Sequence, residues 1–198
     1  MDPGKLKDRV QILHLEQSEN ELRWEVFKNT WAQVEYTGKT NYFSKVGMGV
    51  MSATFTMRRQ QLTLFDAILF EKKHYFITSI TPISSLYMEV ETAKIDPITC
   101  ILFNNETVLD DLNRPVNKQN AVLTFPGMLV EKYLRSSAEK GHEEGEIALV
   151  LVAPKQVEAD KADNGKIIKI QGKAYKVSVC HMLDEYKNEY EIYRKDDA

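Results

Sequence analysis

The sequence predicts an all-β protein built as two tandem small antiparallel β-barrel or sandwich modules with long loops. Two stretches carry that expectation. Between Thr54 and Glu91, four short segments follow one another: Thr54–Met57, Ala67–Phe70, His74–Ile80 and Leu86–Val90. The first and last alternate, the second is an apolar run, and the third is rich in Tyr, Phe, Ile and Thr. Alternation at period 2 turns one face of a strand to a core and the other to water. Glu71-Lys72-Lys73 is a polar turn of hairpin length between the second and third segments. Near the C-terminus the same order returns: Lys166–Ile170, the turn Gln171-Gly172-Lys173, then a Tyr-led strand from Ala174 to Val179.

Tyr75 and Tyr175 stand 100 positions apart (175 − 75), as do Ile77 and Val177, and Ile68 and Ile168. With small slips the likeness extends upstream, Val34-Glu35 against Val130-Glu131 and Phe55 against Leu149. Downstream it sets Glu89-Val90-Glu91 against Glu191-Ile192. The chain reads as a diverged tandem duplication, with modules at 1–97 and 98–198 and a short junction at Lys94–Pro97.

Taken in order, Lys5 to Leu15 is a first strand, alternating at Val10 and Ile12, and Gln17–Glu21 is a polar turn. Leu22–Val26 and Lys28–Tyr36 form a hairpin-like continuation with Trp31 and Val34. Thr37 to Met51 is a polar, glycine-containing loop whose length inside a small module points to function or disorder. The second module opens with Thr99–Phe103 and Glu106–Leu109, and Val116–Pro126 is a polar hairpin region. Gly127–Ala138, with apolar residues at Met128, Leu129, Tyr133 and Leu134, reads as a short helix. Glu139–Glu146 is a charged loop, Ile147–Val152 an apolar strand ended by Ala153-Pro154, and Lys155–Asn164 a charged connection.

A chain of 198 residues holds one large domain or two small ones, and a net charge of −3 carries no electrostatic footprint of a protein that grips nucleic acid. No apolar run approaches the roughly 18 residues of a membrane helix, and the N-terminus has no apolar signal core, so a cytoplasmic origin is expected. Cys100 and Cys180 lack metal spacing and read as structural thiols.

Little in the sequence points to catalysis. Gly38-Lys39-Thr40 resembles the end of a phosphate-binding loop, but Gln33 stands where its first glycine belongs. His142-Glu143-Glu144 with Glu146 lacks the two-histidine spacing of a zinc helix and reads as a solvated charge cluster. His14, His74 and His181 are scattered. Tyr42, Phe43, Tyr75, Tyr87, Tyr175 and Tyr190 would make a base-stacking face only with interleaved Lys or Arg, and so read as core and interface. The expectation is a non-enzyme without cofactor or metal.

The first 97 residues resemble the head–tail joining (head-closure, stopper or connector) proteins of tailed bacteriophages. The resemblance rests on Gly4–Ile12, Trp24, Thr30-Trp31-Ala32-Gln33-Val34, Tyr42-Phe43, Thr54-Phe55-Thr56-Met57-Arg58 and Tyr75–Ile80, in that order. The third strand lacks the family's Arg-x-Arg, and 98–198 exceed the usual single module. The resemblance implies a virion protein made in the host cytoplasm. It would form a homo-oligomeric ring at the head–tail junction, between portal or adaptor and tail proteins, with genomic DNA passing through and no membrane involved. It also implies a loop pointing into the DNA channel, here Gly38, Lys39, Thr40, Asn41, Tyr42, Phe43, Lys45, Gly47 and Gly49. The alternatives are a tail-terminator or tail-completion protein, and a β-barrel binding module unrelated to phage.

Overall fold

A computed structural model of the chain describes residues 3–40, 50–135, 145–155, 166–183 and 187–194. After a 3-10 turn at Pro3–Lys5 come β1 (Asp8–Ser18), β2 (Glu21–Thr40), β3 (Val50–Arg58), β4 (Ala67–Phe70), β5 (Lys73–Pro82) and β6 (Tyr87–Ile95). Then follow β7 (Ile98–Leu109), β8 (Pro115–Arg135), β9 (Gly145–Pro154), β10 (Ile167–Ile170), β11 (Lys173–Met182) and β12 (Lys187–Arg194). The protein is all-β. No helix among the described residues is long and apolar enough to cross a membrane.

The chain divides into two units. One is Met1–Glu16 with Arg23–Pro97, and the other is Gln17–Leu22 with Ile98–Ala198. In the first unit β1 pairs β2, β2 pairs β3, β3 pairs β6, β6 pairs β5, β5 pairs β4, and β4 returns to β1. That cycle is a closed antiparallel barrel of six strands. In the second unit β7 pairs β8, β8 pairs β9, β9 pairs β12, β12 pairs β11, β11 pairs β10, and β10 returns to β7. The plan is the same, strand for strand.

Local signals explain where the chain turns. At the β4–β5 hairpin Glu71 and Lys72 take φ of 49° and 63°, and at β10–β11 Gln171 and Gly172 take 49° and 80°. Two successive positive φ values mark the tight turn whose twist matches the flanking strands. Both barrels also bulge at one place, between Ile77 and Ser79 on β5 and between Val177 and Val179 on β11. Bulges sharpen strand curvature, and closing a small barrel requires it.

The first barrel's core gathers Val10, Ile12, Ala32, Phe55, Ile68, Tyr75, Ile77 and Val90, all at most 1% exposed. Phe55 meets Tyr75 edge-on at 5.4 Å and Phe70 at 5.9 Å. The second core gathers Cys100, Leu102, Phe125, Leu151, Ile168, Tyr175, Val177 and Tyr190. The long strands change partner along their length. β8 pairs β7 as far as Gly127 and β9 from Met128 onward. A methyl group on Gly127 would meet Leu151 Cδ1 at 2.8 Å and Cys100 Sγ at 3.0 Å, so the hand-over point takes no side chain. In the first barrel buried Ala32, which opens the β2–β3 ladder, holds that point.

The ladders correct several sequence expectations. Gly127–Arg135, expected as a helix, is strand, because the β8–β9 ladder runs unbroken from Met128↔Val152 to Arg135↔Gly145. Partner strands outweigh the local spacing of Tyr133 and Leu134. Val116–Pro126 is the first half of that same strand. Leu22–Tyr36 is one strand with no break at Phe27. The loop expected over Thr37–Met51 loses its ends, since Thr40 pairs with Val50 across a β2–β3 arm. The row Val34–Phe55–Val90–Ile80 matches Leu129–Leu151–Tyr190–Cys180. Hence Val34 corresponds to Leu129 instead of Val130, and Phe55 to Leu151 instead of Leu149. A one-residue slip would have reversed the face of the strand. Downstream, Glu91 corresponds to Glu191, both lying one residue past the bulge pair.

Candidate interaction surfaces

The β2–β3 arm carries part of the loop expected to reach a channel. Gly38, Lys39 and Thr40 lie on β2, while Asn41, Tyr42, Phe43, Lys45, Gly47 and Gly49 lie outside the described residues. The ladder shifts register between Tyr36 and Gly38, and Gly38 takes φ of 81°, which L side chains rarely adopt. Because Gly38-Lys39-Thr40 sits in an antiparallel ladder and not at a helix N-terminus, its likeness to a phosphate loop ends at the letters. At the base of the arm Tyr36 is exposed and its hydroxyl donates to Glu71 Oε2 at 3.4 Å. Burial first, then the Glu71 carboxylate, raises the Tyr36 phenol above its ordinary value.

The residues weighed for chemistry are dispersed. His14 Nε2 lies 3.8 Å from Asp66 Oδ2, and the ring stacks on Phe27 at 4.0 Å. His74 stacks on Trp24 at 6.3 Å, and burial lowers its imidazole against an opposing pull from Asp96. His181 lies 3.5 Å from Glu191, in the other unit. His142, Glu143 and Glu144 lie outside the described residues, and Glu146 is on β9. Among the described residues no three His, Cys, Asp or Glu are grouped to hold a metal. Both cysteines are free, and burial pushes the Cys100 thiol up to about 12. Tyr75, Tyr87, Tyr175 and Tyr190 are at most 8% exposed and make no stacking face, while Tyr42 and Phe43 lie outside the described residues.

Two of the exposed apolar surfaces lie on a hairpin tip and on β2. The first is the tip of the β7–β8 hairpin. Val108 pairs with Val116 and Leu109 with Pro115, and Leu109 and Leu112 are 65% and 70% exposed. Asp110 builds the turn. Its Oδ1 accepts from the amides of Leu112 and Arg114, each at 2.9 Å, and Oδ2 accepts from Arg114 Nε at 2.9 Å. The Arg114 amide, and then that of Leu112 with the guanidinium, hold the Asp110 carboxyl below its ordinary value. The tip is therefore a built turn that presents leucine to solvent. The second surface is on β2, where Val26, Phe27 and Trp31 are 53%, 58% and 55% exposed.

Within the second unit, the β1–β2 tip forms a seat against β8. The Thr124 amide donates to Asn20 O at 2.8 Å, and Glu21 pairs in parallel with Thr124. No protein-family model matches the chain, and neither a curated protein nor a solved structure gives a match.

Proposed function

We propose that the protein is a structural, non-catalytic component of a tailed-bacteriophage virion. It forms a homo-oligomeric ring at the head–tail interface, closes the DNA channel there, and joins portal or adaptor to tail proteins. The observation that carries this reading is the coincidence of two features in the first barrel. The residues of the family resemblance, among them Val10, Ile12, Trp31, Phe55 and Tyr75, are laid on strands of a small closed barrel. The same barrel extends a two-stranded arm toward residues 41–49, the segment the resemblance aims at the channel.

The physics of the role agrees with these features. Barrel closure pairs most strand edges, so contacts between copies fall to hairpin tips, arms and the first half of β2, which the β2–β3 ladder does not cover. A chain of net charge −3 does not clamp a polyanion that must later slide out, while Lys39 and Lys45 offer local phosphate contacts. Gly38, at φ of 81°, sits where edge-to-edge pairing between neighbours would begin.

The test is electron microscopy of particles from a phage carrying a nonsense mutation in this gene. Separate tails beside emptied or leaking heads are expected. Filled heads with tails of aberrant length would move the protein to tail termination, and normal infectious virions would overturn the reading. Deleting Thr40–Gly49 should leave the barrel folded and yield heads that leak DNA; full retention of DNA would remove the gating role.

A further inference from the structure

Among the described residues, the repeat leaves one hairpin tip and one strand without their counterparts. Equivalence follows from the ladders. Gln11 and Ile101 hold corresponding places on β1 and β7, since Gln11 pairs with Leu69 and Ile101 with Lys169. Ile101 pairs with Thr124, and Gln11 Nε2 donates to Asn29 Oδ1 at 3.1 Å. Asn29 on β2 thus corresponds to Thr124 on β8. Thr124 is the residue that seats the β1–β2 tip, through Asn20. The corresponding seat around Asn29 is flanked by Val26, Phe27 and Trp31, all more than half exposed. The hairpin corresponding to β1–β2 is β7–β8, whose tip shows Leu109 and Leu112 to solvent.

We propose that the β7–β8 tip of one copy docks on the β2 seat of a second copy, repeating between chains the tip-to-strand pairing found at Thr124. Three observations commit the occupant to a second copy. The chain already contains the contact once, between a hairpin tip and the strand position that corresponds to Asn29. The tip and the seat, where Phe27 is 58% exposed beside the stacked His14 ring, both show apolar side chains to solvent, and such exposed patches mark interaction sites. Next to them, Asp111 on the tip and Lys28 on the seat are exposed and of opposite charge, which favours one register of approach.

The Asp110 carboxylate holds the tip in shape before contact, so little ordering is needed on binding. The contact is heterologous, tip to seat, so each copy keeps one free tip and one free seat until the series closes. Such contacts generate rings, or open filaments where the rotation does not close. The inference deepens the ring reading and rests on it only for closure; the contact itself is tested on the purified chain, without phage.

The experiment is sedimentation velocity with native mass spectrometry across a concentration series. It uses the full-length chain, Leu112→Asp, Phe27→Asp and a one-to-one mixture of the two variants. Both substitutions fall on exposed side chains, and circular dichroism confirms that each variant keeps the strand signal. The wild-type chain is expected to associate, and each variant alone to associate at least about thirtyfold more weakly. The mixture should recover dimers and nothing larger, because only the intact tip of Phe27→Asp fits the intact seat of Leu112→Asp. A wild-type chain that stays monomeric overturns the contact. So do variants that associate like wild type, although that result leaves a ring built on other surfaces standing. Mixed variants that fail to pair while wild type associates also overturn it, since they exclude a tip-to-seat geometry.

Discussion

The two barrels share every pairing and few of the side chains that fill them. Where the first places Phe55 beside Val90, the second places Leu151 beside Tyr190. The larger ring has crossed to the neighbouring strand and the row keeps similar bulk. Val10 gives way to Cys100, and Ala32 to Gly127 against Leu151. Cores tolerate such exchanges when volume and patterning are kept. What persists is the ladder with its positive-φ turn and its bulge, so topology here is set by where the chain turns and kinks more than by which apolar residue packs. The surfaces diverge further. The β1–β2 tip is polar, with Glu19, Asn20 and Glu21, whereas the β7–β8 tip carries Leu109 and Leu112.

The sharpest way to separate the barrels is to remove bulk from one core at a time. Phe55→Ala should cost about 3–5 kcal/mol and Leu151→Ala about 2–5 kcal/mol. The two tryptophans, Trp24 and Trp31, both lie in the first unit, so their fluorescence follows that barrel alone. Phe55→Ala should shift the fluorescence-detected denaturation midpoint strongly and Leu151→Ala only slightly. Equal shifts would mean that the two cores melt as one.

The next effect lies in the turns. Lys72 holds φ of 63° where the second barrel has Gly172 at 80°. Lys72→Gly should stabilise the first barrel by about 1 kcal/mol, and Gly172→Ala should destabilise the second by a similar amount, read from urea midpoints. An unfavourable Lys72→Gly would show that its side chain compensates the strained backbone.

A third contrast is alkaline. Cys100 occupies the place of Val10, and burial pushes its thiol up to about 12 from an unfolded value of 9.0. A raised acid favours folding fully below the unfolded value, and that contribution is lost as pH rises from 9.0 toward about 12. Cys100→Val should flatten the second barrel's loss of stability over that range. In native protein a thiol reagent should modify Cys180 first, with Cys100 protected until unfolding; simultaneous modification would contradict its burial.

The smallest effect is acidic and local. The lowered Asp110 carboxyl supports the tip above its unfolded value of 3.8, and that support is lost as pH falls through the lower folded value. The protection factors of the Leu112 and Arg114 amides, taken against the intrinsic exchange rate at each pH, should fall on acidification and on Asp110→Ala, with global stability unmoved. Unchanged protection would mean that backbone bonds alone hold the turn.

The hairpins Ile68–Tyr75 and Ile168–Tyr175 were legible in the sequence because a short apolar run and a Tyr-led strand flank a short polar turn. The long strands were not. β2 and β8 serve one neighbour with their first half and another with their second, so no single alternation runs through them. In β8 the polar run Asn117–Asn120 hid one half, and Tyr133-Leu134 lent the other a helical spacing. The arm around Gly38, Lys39 and Thr40 was legible as a special segment but not as a ladder, since its polar, glycine-containing run carries no apolar alternation. Leu112 was invisible for a different reason. One leucine between Asp111 and Asn113 reads as an ordinary turn until pairing brings Val108, Leu109 and Val116 to the same end.

The shared plan closes on β1 with β4 and on β7 with β10, pairings that no hairpin enforces. Methyl-detected nuclear Overhauser spectroscopy of the full chain tests both at once, through Ile12 to Ile68 and Leu102 to Ile168. Cross-strand contacts at both pairs are expected, closing two barrels on one plan. Contacts at one pair and their absence at the other would leave an open sheet in that half and contradict the repeat from which the tip-to-seat contact is inferred.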